Sequence, residues 1–326
     1  MSEVQGVLRP EKILLATDGS PDANLAARAA ADLARRSGAE LHVAHAWHHV
    51  QSAGYPTVGW ADYSYLYERE ARRLLASCVD EIEAAGDAVA AQHLLQGPAI
   101  DALLDLCDEA QPGLLILGSR GLGPVGRLVL GSVSEGLGHH ARVPVLVVRG
   151  GDPAWPPARV IVGDEGSDAA RRAAELALGL GRLFGSEGLL VRAHRNPPEP
   201  IGGWSETDRC RLDEARMSGH KDLAARAQSL GRTSGRPPAT KTIEGDAALA
   251  LLMAAEEGDE RSTLIAVGSR GRGAFGRFRL GSVSTNVLRT ATGPVLICPP
   301  PQAASPPPGL PPQTTHNTKS NRRGWA

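Results

Sequence analysis

Two glycine-rich segments carry the residues of this 326-residue chain that are best suited to chemistry. Residues 118–134 read GSRGLGPVGRLVLGSVS and residues 268–284 read GSRGRGAFGRFRLGSVS, with 12 of the 17 positions identical. Glycine has no Cβ, so its backbone can approach an anion closely, and a helix that begins directly afterwards presents N–H groups to that anion. The repeat therefore predicts two phosphate-binding loops, one in each half of a duplicated chain.

Short apolar runs alternate with segments of helical period in both halves, and these elements must position the loops. The apolar runs are residues 13–17, 41–46, 88–95, 114–117 and 144–148, followed in the second half by residues 160–163, 189–191, 264–267 and 294–298. Ser20 and Pro21 suit the N-cap and the first position of a helix after the first run. Apolar strands alternating with helices are typical of a parallel sheet covered on both faces, so we predict an α/β fold.

A carboxylate and a glycine loop each follow one of the predicted strands. Asp18 comes directly after the first strand, and the loop from Gly118 comes directly after the fourth. Ligands of open parallel sheets bind beyond the carboxyl ends of the strands, where the winding direction reverses. If the two strands are neighbours, Asp18 and the loop face one pocket. Ser132 and Glu135 stand at capping-box spacing, which predicts that the next helix begins at Ser132.

Other interpretations of the loops compete with phosphate binding. The glycines could serve only tight turns and close packing of helix on sheet, and this alternative stays open. The motif G-x-G-x-x-G, which is the fingerprint of dinucleotide-binding domains, occurs at residues 121–126 and 271–276. In those domains it follows the first strand and precedes an acidic residue by about 20 positions, whereas the loop here follows the fourth strand. A Walker A loop is excluded because the chain contains no Gly-Lys pair.

The spacing G-x2-G-x9-G-[S/T] resembles the ATP-binding branch of the universal stress protein family. The positions that match it are Gly118, Gly121, Gly131 and Ser132, and again Gly268, Gly271, Gly281 and Ser282. ILLATDGS at residues 13–20, LHVAHA at 41–46, Gly97-Pro98 and PVLVV at 144–148 support the resemblance. It implies two tandem Rossmann-like domains, each a five-stranded parallel sheet with helices on both faces, paired through their last strands.

The domain boundaries follow from the extent of this resemblance and from composition. The first domain is predicted over residues 11–149 and the second over 158–299. Residues 150–157 form a linker, residues 1–10 an N-terminal tail, and residues 300–326 a Pro-rich tail that lacks the apolar content to order itself.

By the same resemblance, each domain would hold one nucleotide. In the first domain, the phosphates and ribose would be bound by Gly118, Gly121, Gly131, Ser132 and Val133, with the Ser134 hydroxyl in reach. Asp18 would lie near the nucleoside or its metal, and Val43 would contact adenine. In the second, the equivalent residues are Gly268, Gly271, Gly281, Ser282, Val283 and Ser284, with Val191 against adenine. Glu165 stands where the first half has Asp18, and Asp246 replaces Pro98. Because Glu165 is one methylene longer, we expect the first site to bind more tightly.

The resemblance implies ATP, with Mg²⁺, as the ligand of a cytoplasmic stress-response regulator, an intramolecular pseudo-dimer that could also form a homodimer. A slow ATPase and a nucleotide-free interaction module are the alternatives. Phosphoryl transfer usually employs a Lys on the phosphates and a residue that orients water. The sequence identifies neither, so we do not expect an enzyme.

Composition argues against several other classes of protein. A formal net charge of −1 at pH 7 disfavours a dedicated nucleic-acid binder, which usually carries a basic excess. No apolar run approaches the roughly 18 residues of a membrane span, so we expect no membrane partner. The four cysteines include no CxxC pair, which argues against a zinc site or a disulfide framework.

Three further groups of residues admit two interpretations each. The histidines His42, His45, His48 and His49 could bind a metal, although solvated or packing roles are favoured. The aromatic residues between Trp47 and Tyr67 could form a nucleotide lid or partner surface, or pack over the sheet edge. Arg120, Arg127, Arg270 and Arg277 could steer phosphate or be ordinary exposed loop arginines.

Overall fold

The computed structural model of the protein describes residues 10–48, 64–121, 130–149, 155–201, 203–258, 262–269 and 280–300. Some of the predictions fall outside these ranges. They concern Gly271 of the second motif, His49, the arginines Arg127, Arg270 and Arg277, most of the aromatic run, residues 150–154 of the linker, and most of both tails.

Each half contains five strands and four helices within the described ranges. The first half consists of β1 (Lys12–Ala16), α1 (Pro21–Ser37), β2 (Glu40–Trp47), α2 (Ser64–Ala84), β3 (Ala91–Gln96), α3 (Ala99–Ala110), β4 (Leu114–Gly118), α4 (Ser132–His140) and β5 (Val145–Val148). The second half consists of β6 (Arg159–Gly163), α5 (Asp168–Phe184), β7 (Glu187–His194), α6 (Glu206–Ser234), β8 (Ala239–Glu244), α7 (Ala247–Glu256), β9 (Thr263–Gly268), α8 (Ser282–Thr290) and β10 (Val295–Cys298).

The strands form one ten-stranded sheet in the order β3-β2-β1-β4-β5-β10-β9-β6-β7-β8. Pairing is parallel within each half, and β5 runs antiparallel to β10 with Leu146 opposite Leu296. The two halves thus join through their last strands, as the tandem arrangement predicts. In each half the first strand lies between the second and the fourth, so the winding reverses between β1 and β4 and between β6 and β9.

Helices cover both faces of the sheet, which explains why central strands such as β4, β5 and β10 consist almost entirely of buried apolar residues. Ile13 and Leu15 of β1 pack towards α1 and α2 on one face, and Leu14 packs towards α3 and α4 on the other. In the second half, α5 and α6 cover the first face, and α7 and α8 cover the second. Side chains alternate between the faces of a strand, so a strand covered on both sides is apolar at successive positions, whereas polar residues such as His42 of β2 and Arg192 of β7 occur in strands nearer the sheet edges.

A buried arginine joins the end of the first half to a helix of the second. Arg149 follows β5, and its Nη1 donates to the carbonyl oxygen of Ala291 (2.7 Å) and its Nη2 to that of Leu288 (2.6 Å), at the C-terminal end of α8. Burial lowers the pKa of Arg149 to about 10. The equivalent position after β10 is Pro299, whose side chain cannot donate, so this contact is made in one direction.

The described end of the linker also packs between the halves. Trp155 donates its Nε1 to Asp32 of α1 (3.3 Å) and meets the ring of Phe184 edge-on, with 5.2 Å between the ring centroids. Arg36 of α1 lies 4.8 Å from the centroid of the same Phe184 ring.

Within the described ranges, every helix is too short or too polar to span a bilayer.

Candidate functional site

Two cavities lie at equivalent places, beyond the carboxyl ends of the central strands of each half. The first has a volume of about 200 Å³ and the second about 210 Å³. The first is lined by most of the predicted residues of its half: Asp18, Gly118, Gly121, Gly131, Ser132, Val133 and Ser134. The second is lined by Glu165, Val191, Gly268, Gly281, Ser282, Val283 and Ser284. The fold therefore brings residues from distant segments of each half to one place.

The helix at each cavity begins among the residues that line the cavity. The N-cap of α4 is Gly131, with extended backbone (φ −69°, ψ 146°), and the amide of Glu135 donates to its carbonyl oxygen at 3.0 Å. Ser132 is therefore the first helical residue, as its spacing from Glu135 predicts, but the N-cap is Gly131, so Ser132 and Glu135 do not form a capping box. No side chain of the described residues caps α4, nor α8 behind Gly281. An acceptor for the first-turn N–H groups of these helices can then come from a ligand.

The last serine of each motif has a role inside the protein. Ser134 is buried, and its hydroxyl donates to the carbonyl oxygens of Gly118 (2.8 Å) and Ser119 (3.2 Å). Ser284 donates in the same way to Gly268 at 2.6 Å. These bonds tie each helix to the end of the preceding strand. The expectation that the Ser134 hydroxyl reaches a phosphate is thus replaced by a bond that shapes the loop.

The glycines of the first motif serve two different purposes. A Cβ at Gly118 would lie 2.6 Å from the carbonyl carbon of Asp22 and 2.7 Å from the amide nitrogen of Ala23. Gly118 is therefore required by the close packing of β4 on α1, which is the structural alternative considered for the loops. A Cβ at Gly121 would collide with the Asp18 carboxylate, and one at Gly131 would lie 3.1 Å from the carbonyl oxygen of Ser119. These two glycines shape the cavity wall.

The two acidic residues that line the cavities differ in their local bonding. Asp18 accepts a hydrogen bond from the Ser20 amide at 3.0 Å, an Asx turn that holds its carboxylate at the cavity. In the second half the Asx turn begins one residue earlier, because Asp164 accepts from the Gly166 amide at 2.8 Å. Glu165 instead accepts from the Ser167 hydroxyl. The carboxylates of Asp18 and Glu165 are thus presented to their cavities by different turns.

The adenine-facing residue predicted for the first half lies on the wrong face of the sheet. Val43 is fully buried against α1 and α2, whereas Ala44 and Ala46 line the first cavity. The register explains the error, because Ala44 pairs with Ala16 in the way that Val191 pairs with Gly163. Val191 does line its cavity. A shift of one residue along a strand moves a side chain to the opposite face.

Apolar residues that the sequence analysis did not assign complete the first cavity. Ala99 and Leu103 are four residues apart on α3, and Leu117 precedes the loop on β4. The second cavity has Ala247, Leu251 and Val267 at the equivalent places. The helical spacing after Gly97 and Gly245 was the available signal for the α3 and α7 residues.

A buried ionic cluster lies beside the second cavity. Asp164 Oδ2 is 3.1 Å from Arg192 Nη2 and 3.4 Å from Arg226 Nε, and the Asp164 side chain is 1% exposed. Arg192 also donates to the Asp164 carbonyl oxygen at 3.0 Å, where the first half places His45 Nδ1 2.8 Å from the Thr17 carbonyl oxygen. The second half therefore has a carboxylate and two arginines at the place where the first half has a threonine and a histidine.

Asp246, the replacement for Pro98, caps a helix beside the second cavity. Its carboxylate accepts from the amides of Ala248 (2.9 Å) and Leu249 (3.3 Å) at the start of α7, and Arg195 pairs with it. The bond from the Leu249 amide, and secondarily Arg195, holds the pKa of Asp246 below its ordinary value. The difference between Pro98 and Asp246 thus changes how the helix begins, while Ala247 still lines the second cavity.

The histidines of β2 make contacts within the protein. His42 stacks on His93 of β3, with 5.2 Å between the ring centroids and 3.0 Å between His42 Nδ1 and His93 Nε2. In the part of the chain that the structure describes, His, Cys, Asp and Glu nowhere form a group of three suited to a metal ion.

The pair of stacked histidines should make stability depend on pH. Burial, and secondarily His42, lowers the pKa of His93 from 6.5; Lys12 adds to this and Glu109 opposes it. The unfolded chain then binds the proton more readily, so the contribution of neutral His93 is fully present above pH 6.5 and is lost as the pH falls through that value. We expect His93→Gln to flatten the decline in the free energy of unfolding between about pH 7 and pH 5. Urea unfolding at several pH values measures this. The exposed His140→Gln variant is the control, and an unchanged slope in His93→Gln would contradict the prediction.

Comparison with known proteins gives these cavities a context. The sequence pattern of the universal stress protein family matches residues 10–149 and again residues 158–299. The chain belongs to the universal stress protein family. This universal stress protein is 32% identical over 241 residues to a universal stress protein of Mycolicibacterium smegmatis, an alignment that covers 71% of this chain and 75% of the relative.

Two longer alignments extend over both halves. A universal stress protein of Mycobacterium tuberculosis is 30% identical over 313 residues, which cover 89% of this chain and 95% of the relative. The crystal structure of a universal stress protein from Archaeoglobus fulgidus superposes with a TM-score of 0.61 at 22% identity, covering 89% of this chain and 96% of that one. The structural likeness shows a shared fold.

Proposed function

We propose that this universal stress protein binds ATP with Mg²⁺ at both cavities and acts as a nucleotide-dependent regulator in a stress response. The observation that carries the proposal is the pairing, found twice, of a glycine loop with a helix start that no described side chain caps. Backbone N–H groups at a helix start favour a phosphate group through both hydrogen bonds and the helix dipole.

The first cavity has a separate region suited to each part of the nucleotide. Ser132 and Val133, at the start of α4, would take the phosphates through their N–H groups. Ala44, Ala46 and Leu103 form an apolar wall suited to the base. Asp18 offers a carboxylate to the same cavity, and carboxylate and phosphate oxygens are the ligands that Mg²⁺ prefers.

A regulatory role is supported by the position of α8 between the second cavity and the first half. α8 begins at the second cavity with Ser282 and ends at the carbonyl oxygens that Arg149 of the first half contacts. The nine residues of α8 span about 13 Å. A phosphate bound at Ser282 and the contact between the halves would therefore lie at opposite ends of one rigid helix. Nucleotide occupancy could then bias how the two halves meet.

Calorimetry with nucleotide-stripped protein tests the proposal. Titration with Mg-ATP should give a stoichiometry of two, with the first site the tighter. Adenosine should bind at least about 100-fold more weakly, because it lacks the group that the helix start would hold. Folded protein that gives no binding signal with Mg-ATP would contradict the proposal and favour a nucleotide-free interaction module.

Phosphate release measured in parallel separates a binding protein from an ATPase. Backbone donors that hold ground-state and transition-state phosphates equally well do not accelerate the chemical step. We expect turnover orders of magnitude below the roughly 10 per second of a median enzyme. Turnover near that rate would favour the enzyme alternative.

A further inference from the structure

A buried carboxylate outside the motif holds the beginning of the first glycine loop. Asp22 lies in the first turn of α1, and its side chain is 9% exposed. Its Oδ2 accepts from the Ser119 hydroxyl (2.6 Å) and from Arg120 Nε (2.9 Å), and its Oδ1 accepts from Arg120 Nη2 (3.0 Å). The two residues that follow Gly118 are thus bound to α1 through three hydrogen bonds, two of them a bidentate pair with a guanidinium.

The residues that Asp22 holds also close the loop from its other end. The carbonyl oxygen of Ser119 accepts from the Gly131 amide (2.8 Å) and from the Ser134 hydroxyl (3.2 Å). The carbonyl oxygen of Arg120 accepts from the Ser20 hydroxyl at 3.0 Å. Displacing Ser119 or Arg120 would therefore move Gly131, the N-cap whose helix presents the phosphate-binding N–H groups.

The second half retains the loop closure but lacks the carboxylate. Ser269 and Arg270 are identical in type to Ser119 and Arg120, and the Gly281 amide donates to the Ser269 carbonyl oxygen at 2.8 Å. Counting from the N-cap, Asp22 is the second residue of α1, and the second residue of α5 behind Ser167 is Ala169. A Cβ at Gly268 would lie 2.9 Å from the Ala169 Cβ, so strand and helix approach closely here as in the first half.

We propose that Asp22 is a positioning residue that preorganises the first glycine loop for phosphate, and that its absence from the second half makes the two sites unequal. The proposal rests on the proposed function. A loop already held in its binding geometry loses less conformational freedom when the ligand arrives, and affinity rises by that difference. Asp22 contacts loop residues and acts on the ligand through them.

A simpler role for Asp22 is to stabilise α1, because a carboxylate in the first turn of a helix is favourable wherever it occurs. The two roles differ in what they predict for the second site. A stabilising role confined to α1 predicts no gain when a carboxylate is placed in α5. A positioning role predicts that Ala169→Asp supplies Ser269 with the missing anchor and tightens the second site.

The experiment measures Mg-ATP affinity by calorimetry at one site at a time. Gly281→Val isolates the first site and Gly131→Val isolates the second. In the first background, Asp22→Ala should weaken binding by at least about tenfold, and Asp22→Asn by less because it retains an acceptor for Ser119. Asp32→Ala is the matched control, since Asp32 lies on the same helix and pairs with Arg35 and Arg36 far from the cavity. In the second background, Ala169→Asp should tighten binding several-fold.

Amide exchange of the ligand-free protein separates this proposal from the proposed function. The Gly131 amide should exchange at least about tenfold faster in Asp22→Ala than in Asp32→Ala, because its acceptor Ser119 loses its anchor. If the wild type binds no nucleotide, the proposed function fails and this exchange rate alone decides on Asp22. Equal Gly131 exchange in the two folded variants, or equal affinities at the first site, would overturn the positioning role. If Ala169→Asp fails to fold, the Asp22 variants decide.

Discussion

Gly131→Val is expected to abolish nucleotide binding at the first site while the second site keeps its affinity. A Cβ at Gly131 would lie 3.1 Å from the Ser119 carbonyl oxygen and 3.4 Å from the Arg120 Cα, and the branched side chain of valine adds atoms beyond it. The bond from the Gly131 amide to Ser119 must then open, which moves the start of α4 away from the phosphate position. We expect a loss of at least about 100-fold, near 2.8 kcal/mol, by single-site calorimetry.

Two variants control for this result. Gly281→Val applies the same change to the equivalent N-cap and should silence only the second site. Gly219→Ala replaces a glycine of α6 whose added Cβ meets no atom within 4 Å, and it should leave both affinities unchanged. A folded Gly131→Val protein that binds Mg-ATP with wild-type affinity at both sites would contradict the assignment of phosphate to α4.

Arg149→Met is expected to lower the free energy of unfolding by about 2 kcal/mol. The substitution removes both donors from the carbonyl oxygens of Leu288 and Ala291, which end α8, while methionine keeps part of the apolar stem. Charge-assisted hydrogen bonds contribute roughly 1.5 to 3 kcal/mol each, and relief of the cost of burying the guanidinium offsets part of the loss. That cost is visible in the Arg149 pKa, which burial lowers to about 10.

Urea unfolding of the wild type and of two variants checks this prediction. Arg142→Met removes an arginine that is 55% exposed and pairs at the surface with Asp108, and exposed pairs contribute about 0 to 1 kcal/mol. We expect Arg149→Met to be clearly the less stable of the two. Equal midpoints and slopes would show that the contact between Arg149 and α8 contributes nothing measurable to the joined halves.

Local patterns predicted much of this fold because they depend on neighbours in the chain. Ser20 caps α1, with its hydroxyl accepting from the Ala23 amide at 3.2 Å, and Gly38 ends that helix in the left-handed conformation (φ 77°). The short apolar runs proved to be strands of a sheet buried on both faces. The sequence analysis placed Asp18 and the first loop at one pocket on the condition that β1 and β4 are neighbours, and the observed strand order meets that condition.

The errors concerned features that neighbouring residues do not determine. Each face of the LHVAHA run carries apolar residues and one histidine, so its pattern did not indicate which face carries the cavity, and Val43 was chosen where Ala44 lies. The spacing of Ser132 and Glu135 is a local signal for a capping box, but the box does not form. The Ser119 carbonyl oxygen accepts from the Gly131 amide and closes the loop, and Gly131 is the N-cap. Both outcomes depend on strands or loops that are distant in sequence.

Residues close together in the chain were enough to identify the tandem repeat, most strands of each half, and the described glycines and serines that line each cavity, because repeats, caps and buried strands depend on neighbouring residues. Contacts that need the assembled sheet could not be found in this way: Asp22 anchors Ser119, 97 positions further along the chain, and Arg149 holds the end of α8 from the other half. Such contacts join side chains whose separation in the chain carries no periodic signal. They arise where strand β4 packs on α1 and where β5 meets β10, so they become visible only when the sheet is assembled.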